Sequence, residues 1–190
     1  MQNIFFISDL HFGHTNIMQY SPKYRQFKSV QQMDEYLISL WNDTVGVKDI
    51  VYNLGDVSFH KDTEKTERIL KRLNGKHCLI LGNHDKKITR ETSLQRYFDE
   101  ITEYKFLKNG DFKLGLALFH YPILEWNNAH HGSVHLHGHI HDRESGLKGR
   151  AFNACYDYNG RFLELCEVVK MAEKIDFHCF LHNDDDEDYF

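Results

Sequence analysis

Residues 78–85 read Cys78-Leu79-Ile80-Leu81-Gly82-Asn83-His84-Asp85. Four apolar residues rich in strand formers run into a glycine and then three polar residues. The run suits a strand buried on both faces, and the polar end suits a loop at its carboxyl edge. The same grammar recurs on the amino-terminal side. Ile4-Phe5-Phe6-Ile7 leads into Ser8-Asp9-Leu10-His11-Phe12-Gly13-His14, and Asp49–Tyr52 leads into Leu54-Gly55-Asp56. Helical patterns separate these strands. Val30, Met33, Leu37, Leu40 and Trp41 recur at spacings of three and four over roughly 29–43, with Ser29 as N-cap. Thr63–Leu73 places Thr66, Ile69, Leu70 and Leu73 on one face and stops at Asn74-Gly75. Strand, helix, strand, helix, strand in this order predicts a largely parallel first sheet with right-handed crossovers.

The second half changes character. Tyr104–Leu107 and Leu114–Phe119, joined by Asn109-Gly110-Asp111, read as a hairpin. Val134–His137, Ala151–Cys155 and Phe162–Leu165 read as further strands, the last two paired through Asn159-Gly160. A second, more antiparallel sheet is the expectation. No internal repeat is visible.

Composition narrows the function classes. A chain of 190 residues with 41% hydrophobic and 14% aromatic residues is long enough for one domain with a real core. The expected division is a single domain over 1–182 and an acidic, disordered tail over 183–190, where Asn183 is followed by Asp184-Asp185-Asp186-Glu187-Asp188. A formal net charge of −5 argues against a broad nucleic-acid footprint, leaving Lys86, Lys87 and Arg90 as the best short basic strip. Cys78, Cys155, Cys166 and Cys179 form no C-x-x-C pair and read as reduced thiols of a cytoplasmic protein. Residues 2–7 lack the basic flank of a leader, and no stretch approaches the ~20 apolar residues of a membrane span.

The polar residues closing each strand carry the chemistry. They are Asp9 and His11, Asp56, Asn83 and His84, His120, and His139 and His141. Ligands in α/β sheets bind outside the carboxyl ends of strands, so these groups are expected to converge. Asp9 and His11 are two apart, as are His139 and His141, so an extended backbone would point each pair one way. Imidazole and carboxylate together suit a divalent metal such as Mn, Fe or Zn, and there are too many donors for one tetrahedral ion. Left without a metal or partners, such groups would be costly to bury.

The ordered blocks Asp9-x-His11, Gly55-Asp56, Gly82-Asn83-His84-Asp85, His120 and Gly138-His139-x-His141 resemble the calcineurin-like metallophosphoesterase family. The resemblance implies an α/β fold, two packed mixed sheets flanked by helices in a four-layer α/β/β/α sandwich. It implies two divalent ions, Mn2+ favoured, with Fe, Zn or Ni as alternatives. Asp9, His11 and His141 would hold one ion, Asn83, His120 and His139 the other, and Asp56 would bridge them. A hydroxide between the ions would be the nucleophile. His84 would face the substrate and protonate the leaving group, with Asp85 offered as the group that orients it. The family's protein-phosphatase branch follows Gly-Asp with a further Asp and an Arg; here Val57-Ser58-Phe59-His60 follows instead. Without that Arg to clamp a dianion, the reading leans to a phosphodiesterase on small or nucleotide-type substrates. The alternatives are a phosphomonoesterase or protein phosphatase, a non-catalytic scaffold, and a nuclease, which the charge opposes. His14, Tyr121 and Arg143 are candidate substrate contacts. His137 is a candidate partner of a ligand, and His60, His77, His130, His131, His178 and His182 read as surface residues.

Overall fold

The structure is a computed structural model and describes residues 2–108 and 114–176. The acidic stretch, the Asn109-Gly110-Asp111 turn, Cys179, His178 and His182 lie outside the described residues. The strands are β1 (Ile4–Ile7), β2 (Ile50–Asn53), β3 (Lys76–Ile80), β4 (Glu100–Thr102), β5 (Tyr104–Lys108), β6 (Gly115–Phe119), β7 (Val134–His137), β8 (Ala151–Asn153) and β9 (Leu163–Glu164). The helices are α1 (Ile17–Tyr20), α2 (Val30–Thr44), α3 (Thr63–Leu70), α4 (Lys86–Arg90), α5 (Thr92–Gln95), α6 (Tyr156–Asn159) and α7 (Leu165–Glu173).

Two mixed sheets result, one of five strands in the order β4-β3-β2-β1-β9 and one of four in the order β5-β6-β7-β8. In the first, β1 to β4 run parallel and only β9 is antiparallel. The alternation along β1 shows why its run is apolar throughout. Phe5 and Ile7 pack with Leu37 and Trp41 of α2 and Ile69 of α3. Phe6 turns to the other side and packs with Leu118 and Leu136 of the second sheet and Val168 of α7. Both faces are buried, as parallel sheets require, and each such side chain contributes roughly 1.5–3 kcal/mol by leaving water. Ser29 caps α2 as expected, its side chain accepting the Gln32 N–H. The outer face of the second sheet is covered by Trp126 and Ala129, around a short 3-10 turn at Ala129–His131.

Three expectations are corrected. Only β5 and β6 are antiparallel in the second sheet; β6, β7 and β8 run parallel. The segments around Asn159-Gly160 do not form a hairpin, because β8 lies in the second sheet and β9 pairs with β1 in the first. Gly160 instead closes α6 in a left-handed conformation, its N–H donating to Tyr156 O at 2.7 Å. His77 is also buried rather than at the surface. It shares the helix-facing side of β3 with Leu79, its ring 5.1 Å from that of Trp41.

Parallel strands place their carboxyl ends at one edge. The loops after β1, β2 and β3 therefore lie side by side, and those after β6, β7 and β8 do the same in the other sheet. The two edges are stitched together. Ser8 N–H donates to Ala154 O and Tyr156 N–H donates to Ser8 O, both at 2.9 Å. Among the described residues, no helix is long and apolar enough to cross a membrane.

Candidate metal centre

The loop after β1 supplies Asp9 and His11. Asp9 is fully buried, and its two oxygens face different ways. Oδ2 accepts the Ser8 hydroxyl at 2.6 Å, the His139 N–H at 2.9 Å and the Cys155 thiol at 3.1 Å. Oδ1 lies 3.4 Å from His11 Nε2 and 3.9 Å from His141 Nε2. Asp56, after β2, lies beside them. Its Oδ2 is 3.6 Å from His11 Nε2 and 3.7 Å from His120 Nε2, while Oδ1 accepts the His84 N–H at 2.9 Å. Asn83 Oδ1 sits 3.0 Å from both His120 Nε2 and His139 Nδ1. All seven predicted ligands are thus drawn together from five loops.

The donor set fits a metal on its own geometry. His120 donates its Nδ1 proton to Leu54 O at 2.6 Å, and His141 donates its own to Asp157 Oδ2 at 2.7 Å. With that proton committed, each imidazole in its neutral form presents the Nε2 lone pair inward. The carboxylates of Asp9 and Asp56, exposed by only 0% and 2%, face those lone pairs. Acceptors turned toward acceptors in a buried place call for a cation. Two overlapping groups have ligand atoms within 4.8 Å of one another: Asp9, His11 and His141, and Asp9, Asp56 and His120.

The backbone is distorted at the same residues. Among the described residues, six non-glycine positions have left-handed φ, and five are predicted ligands: Asp9, His11, Asp56, His139 and His141. Each costs of order 1–3 kcal/mol and persists only because its surroundings over-determine it, and such strain clusters at functional sites. The expectation that an extended backbone points each pair one way is therefore corrected: Asp9, His11, His139 and His141 are all left-handed. β7 ends at His137, so His139 is not its continuation. Two glycines allow the loops to approach this closely. A Cβ at Gly82 would meet Asp56 Oδ1 at 2.2 Å, and one at Gly138 would meet Ser8 Oγ at 2.0 Å.

Charges follow the geometry. Burial raises the Asp9 pKa, but the His11 hydrogen bond and the His120, His11 and His141 charges outweigh it and hold the carboxyl far below its usual range. Burial works against a charge on His141, yet the hydrogen bond to Asp157 and the Asp9 carboxylate raise its pKa. Burial, then His120, lowers that of His139. Burial, then His11, lowers that of His14 to about 4.

The remaining candidates fall around this cluster. His84 is exposed at its mouth, with its ring 4.5 Å from that of Phe59. Asp85 is buried and its carboxylate is directed at the backbone rather than at the His84 ring. It accepts the N–H groups of Asp56 at 2.8 Å, Val57 at 2.9 Å and Gly82 at 2.9 Å. His14 stacks on Phe59 at 4.1 Å, and Tyr121 lies 4.6 Å from the His139 ring. Arg143 is exposed and folds back on its own loop, Nε donating to Ile140 O at 3.2 Å. His137 is buried and donates from Nδ1 to Gly138 O at 3.1 Å, next to His139 but on no ligand's ring. His60 pairs with Asp34 at 2.8 Å.

Sequence reasoning missed Arg25, Asp157 and Phe59. Arg25 and Asp157 are buried and lie 132 residues apart, and neither sits in a motif. Phe59 carried a signal, since it follows Gly55-Asp56 where one branch of the resembling family carries charge, but an aromatic there reads by default as core.

A family model described as calcineurin-like phosphoesterase matches residues 2–143. A protein of Methanocaldococcus jannaschii described as uncharacterized, MJ1445, is 37% identical over 182 residues, covering 92% of this chain and 93% of that protein. The gene 66 protein of Mycobacterium phage D29 is 29% identical over 165 residues, covering 75% of this chain and 80% of its own. The crystal structure of AQ665 from Aquifex aeolicus, described as a protein of unknown function, superposes with a TM-score of 0.71 at 28% identity. It covers 90% of this chain and 100% of that one.

Proposed function

The chain belongs to the calcineurin-like phosphoesterase family, and from that premise we propose that it hydrolyses phosphodiesters of small, nucleotide-type substrates at a dinuclear metal centre. The observation that carries this reading is the convergence of Asp9, His11, Asp56, Asn83, His120, His139 and His141 with their lone pairs turned inward. Asp9, His11 and His141 would hold one ion, Asn83, His120 and His139 the other, and Asp56 both. The mixed N and O donors suit Mn2+, with Fe, Zn or Ni as alternatives. When bound, two divalent ions supply an activated water and cancel charge on the phosphoryl oxygens.

The side chains around the centre would do the rest. His84 stands exposed above the carboxylates, anchored through its backbone N–H to Asp56. Its ring would hold a phosphoryl oxygen and give a proton to the departing alkoxide. Two clefts flank the Asn83–Lys87 segment, and each would take one arm of a diester. One, about 380 Å³, has Leu81, Phe119 and Tyr121 in its wall and suits a planar, apolar arm. The other, about 350 Å³, is lined by Phe59, His60, Lys61, His84 and Lys87 and suits a polar or anionic arm. The Lys87 ammonium already donates to the carbonyls of His60 and Lys61. Among the described residues, no guanidinium lines the cleft beside His84, which supports a monoanionic diester over a dianionic monoester. A net charge of −5 supports a small substrate over an extended nucleic acid.

The test uses metal-stripped protein reloaded with Mn2+, assayed on bis-p-nitrophenyl phosphate and p-nitrophenyl phosphate. Metal-dependent cleavage, faster on the diester, is expected. Faster monoester cleavage would make the protein a phosphomonoesterase, and no cleavage of either with metal bound would overturn the enzymatic reading.

A further inference from the structure

One buried ion pair lies behind the candidate ligands. The side chains of Arg25 and Asp157 are 0% exposed, and the Arg25 Nε donates to Asp157 Oδ1. Arg25 Nη2 donates to Asp157 Oδ2 at 3.2 Å and to Asp9 O at 2.6 Å, and Nη1 donates to Leu10 O at 2.9 Å. The guanidinium also lies 4.9 Å from the centre of the Tyr156 ring. Asp157 Oδ2 in turn accepts the His141 Nδ1 proton at 2.7 Å. A continuous path therefore runs from the Asp9 backbone through Arg25 and Asp157 to the His141 ring. It begins and ends on two members of one candidate ligand group, and both ends have strained, left-handed backbones.

A planar guanidinium with five fixed donors suits this task, because it holds a carboxylate and two carbonyls at once. Stability alone is a weak reason for such a pair, since well-packed apolar residues often serve as well or better. Groups that hydrogen-bond the outer nitrogen of a ligating histidine fix its ring and tautomer, and losing them typically weakens metal binding 10–100-fold. The ring of His139, in contrast, has no contact with this pair, and His120 is oriented by Leu54 O.

We propose that Arg25 and Asp157 are positioning residues that set the metal affinity of the Asp9–His11–His141 site selectively, leaving the site around Asn83, His120 and His139 intact. The inference rests on the reading of these ligands as a dinuclear centre. It makes α6, beyond residue 143, part of the metal centre's frame, with β8 delivering Asp157 to the same edge as His141.

The test is calorimetric titration of the metal-free full chain with Mn2+, with Co2+ absorption as a second readout. Two variants keep the buried charges balanced: Arg25→Lys, and the double variant R25Q/D157N. His141→Ala marks which binding step belongs to the site. Both variants should fold, by circular dichroism, and lose roughly 10–100-fold in affinity at the step that His141→Ala abolishes, with the other step unchanged. Wild-type isotherms in either folded variant would overturn the proposal, and so would equal weakening of both steps, since a merely structural pair would act on both. Should the double variant fail to fold, Arg25→Lys is judged by the same criterion. Failure of the wild type to bind any divalent ion would instead overturn the dinuclear reading beneath it.

Discussion

Asp85→Ala separates two accounts of one carboxylate. As a group that orients His84, Asp85 would affect rate and little else. In the structure its oxygens accept three backbone N–H groups, those of Asp56, Val57 and Gly82, and so tie the loop after β2 to the loop after β3. Truncation leaves three buried donors unpaired, at about 1–3 kcal/mol each. Part of that is offset, because burial, opposed by these donors, raises the Asp85 pKa, and removing the carboxylate relieves its desolvation. A net loss of about 3 kcal/mol is a reasonable figure, and at about 2–4 °C per kcal/mol for a chain of this size the unfolding midpoint should fall by about 6–12 °C. Scanning calorimetry on metal-free protein isolates this effect from ligand binding. Asp85→Asn, which keeps one acceptor oxygen, should fall between the two. A midpoint within about 2 °C of wild type, with rate lost, would refute the loop-tying role and restore the orienting one.

Three further outcomes follow from the same geometry. His84→Ala removes an exposed ring that binds no other side chain by hydrogen bond among the described residues; it should retain metal by elemental analysis and lose roughly 10²–10⁴ in kcat. Metal loss alongside the rate would show that His84 is a ligand. Asp56→Asn removes the carboxylate that lies within 3.7 Å of both His11 and His120, so at least one ion should be lost on elemental analysis; a fully loaded, active variant would rule out its bridging place. His135 gives a pH dependence. Burial is the main cause that lowers its pKa to about 4 from 6.5, the Nδ1 proton going to Ala117 O. Below pH 6.5 the unfolded chain takes up a proton that the folded chain refuses, so stability falls from pH 6.5 toward 4, by up to about 3 kcal/mol. His135→Gln should make that slope shallower in denaturant titrations at pH 7.5 and 5, with His14 and His139 still contributing, and an unchanged slope would contradict the assignment.

Most of the candidate ligand set was legible as a convergence of side chains, because each member closes an apolar run and parallel strands bring such ends to one edge. The run Cys78–Leu81 and its Gly82-Asn83-His84-Asp85 ending carried both the strand and the site. What was not legible depended on long-range partners. Asn159-Gly160 reads as a hairpin turn, yet Gly160 caps a short helix because Leu163 and Glu164 find β1 rather than β8. The left-handed backbone at Asp9, His11, His139 and His141 has no local signature, since hydrogen bonds from neighbouring loops impose it; His11 N–H, for example, donates to Asp56 O at 3.0 Å. Arg25 looked like any loop cation, and only the tertiary fold sets it against Asp157. His77 reads as polar surface, but strand alternation turns it toward Trp41.

The most direct test of the dinuclear centre is stepwise reloading of metal-free protein with Mn2+, following hydrolysis of bis-p-nitrophenyl phosphate and bound metal together. The account predicts no hydrolysis without metal and a rate that reaches its plateau at two ions per chain. Full activity in metal-free protein, or a plateau at a single ion, would contradict it.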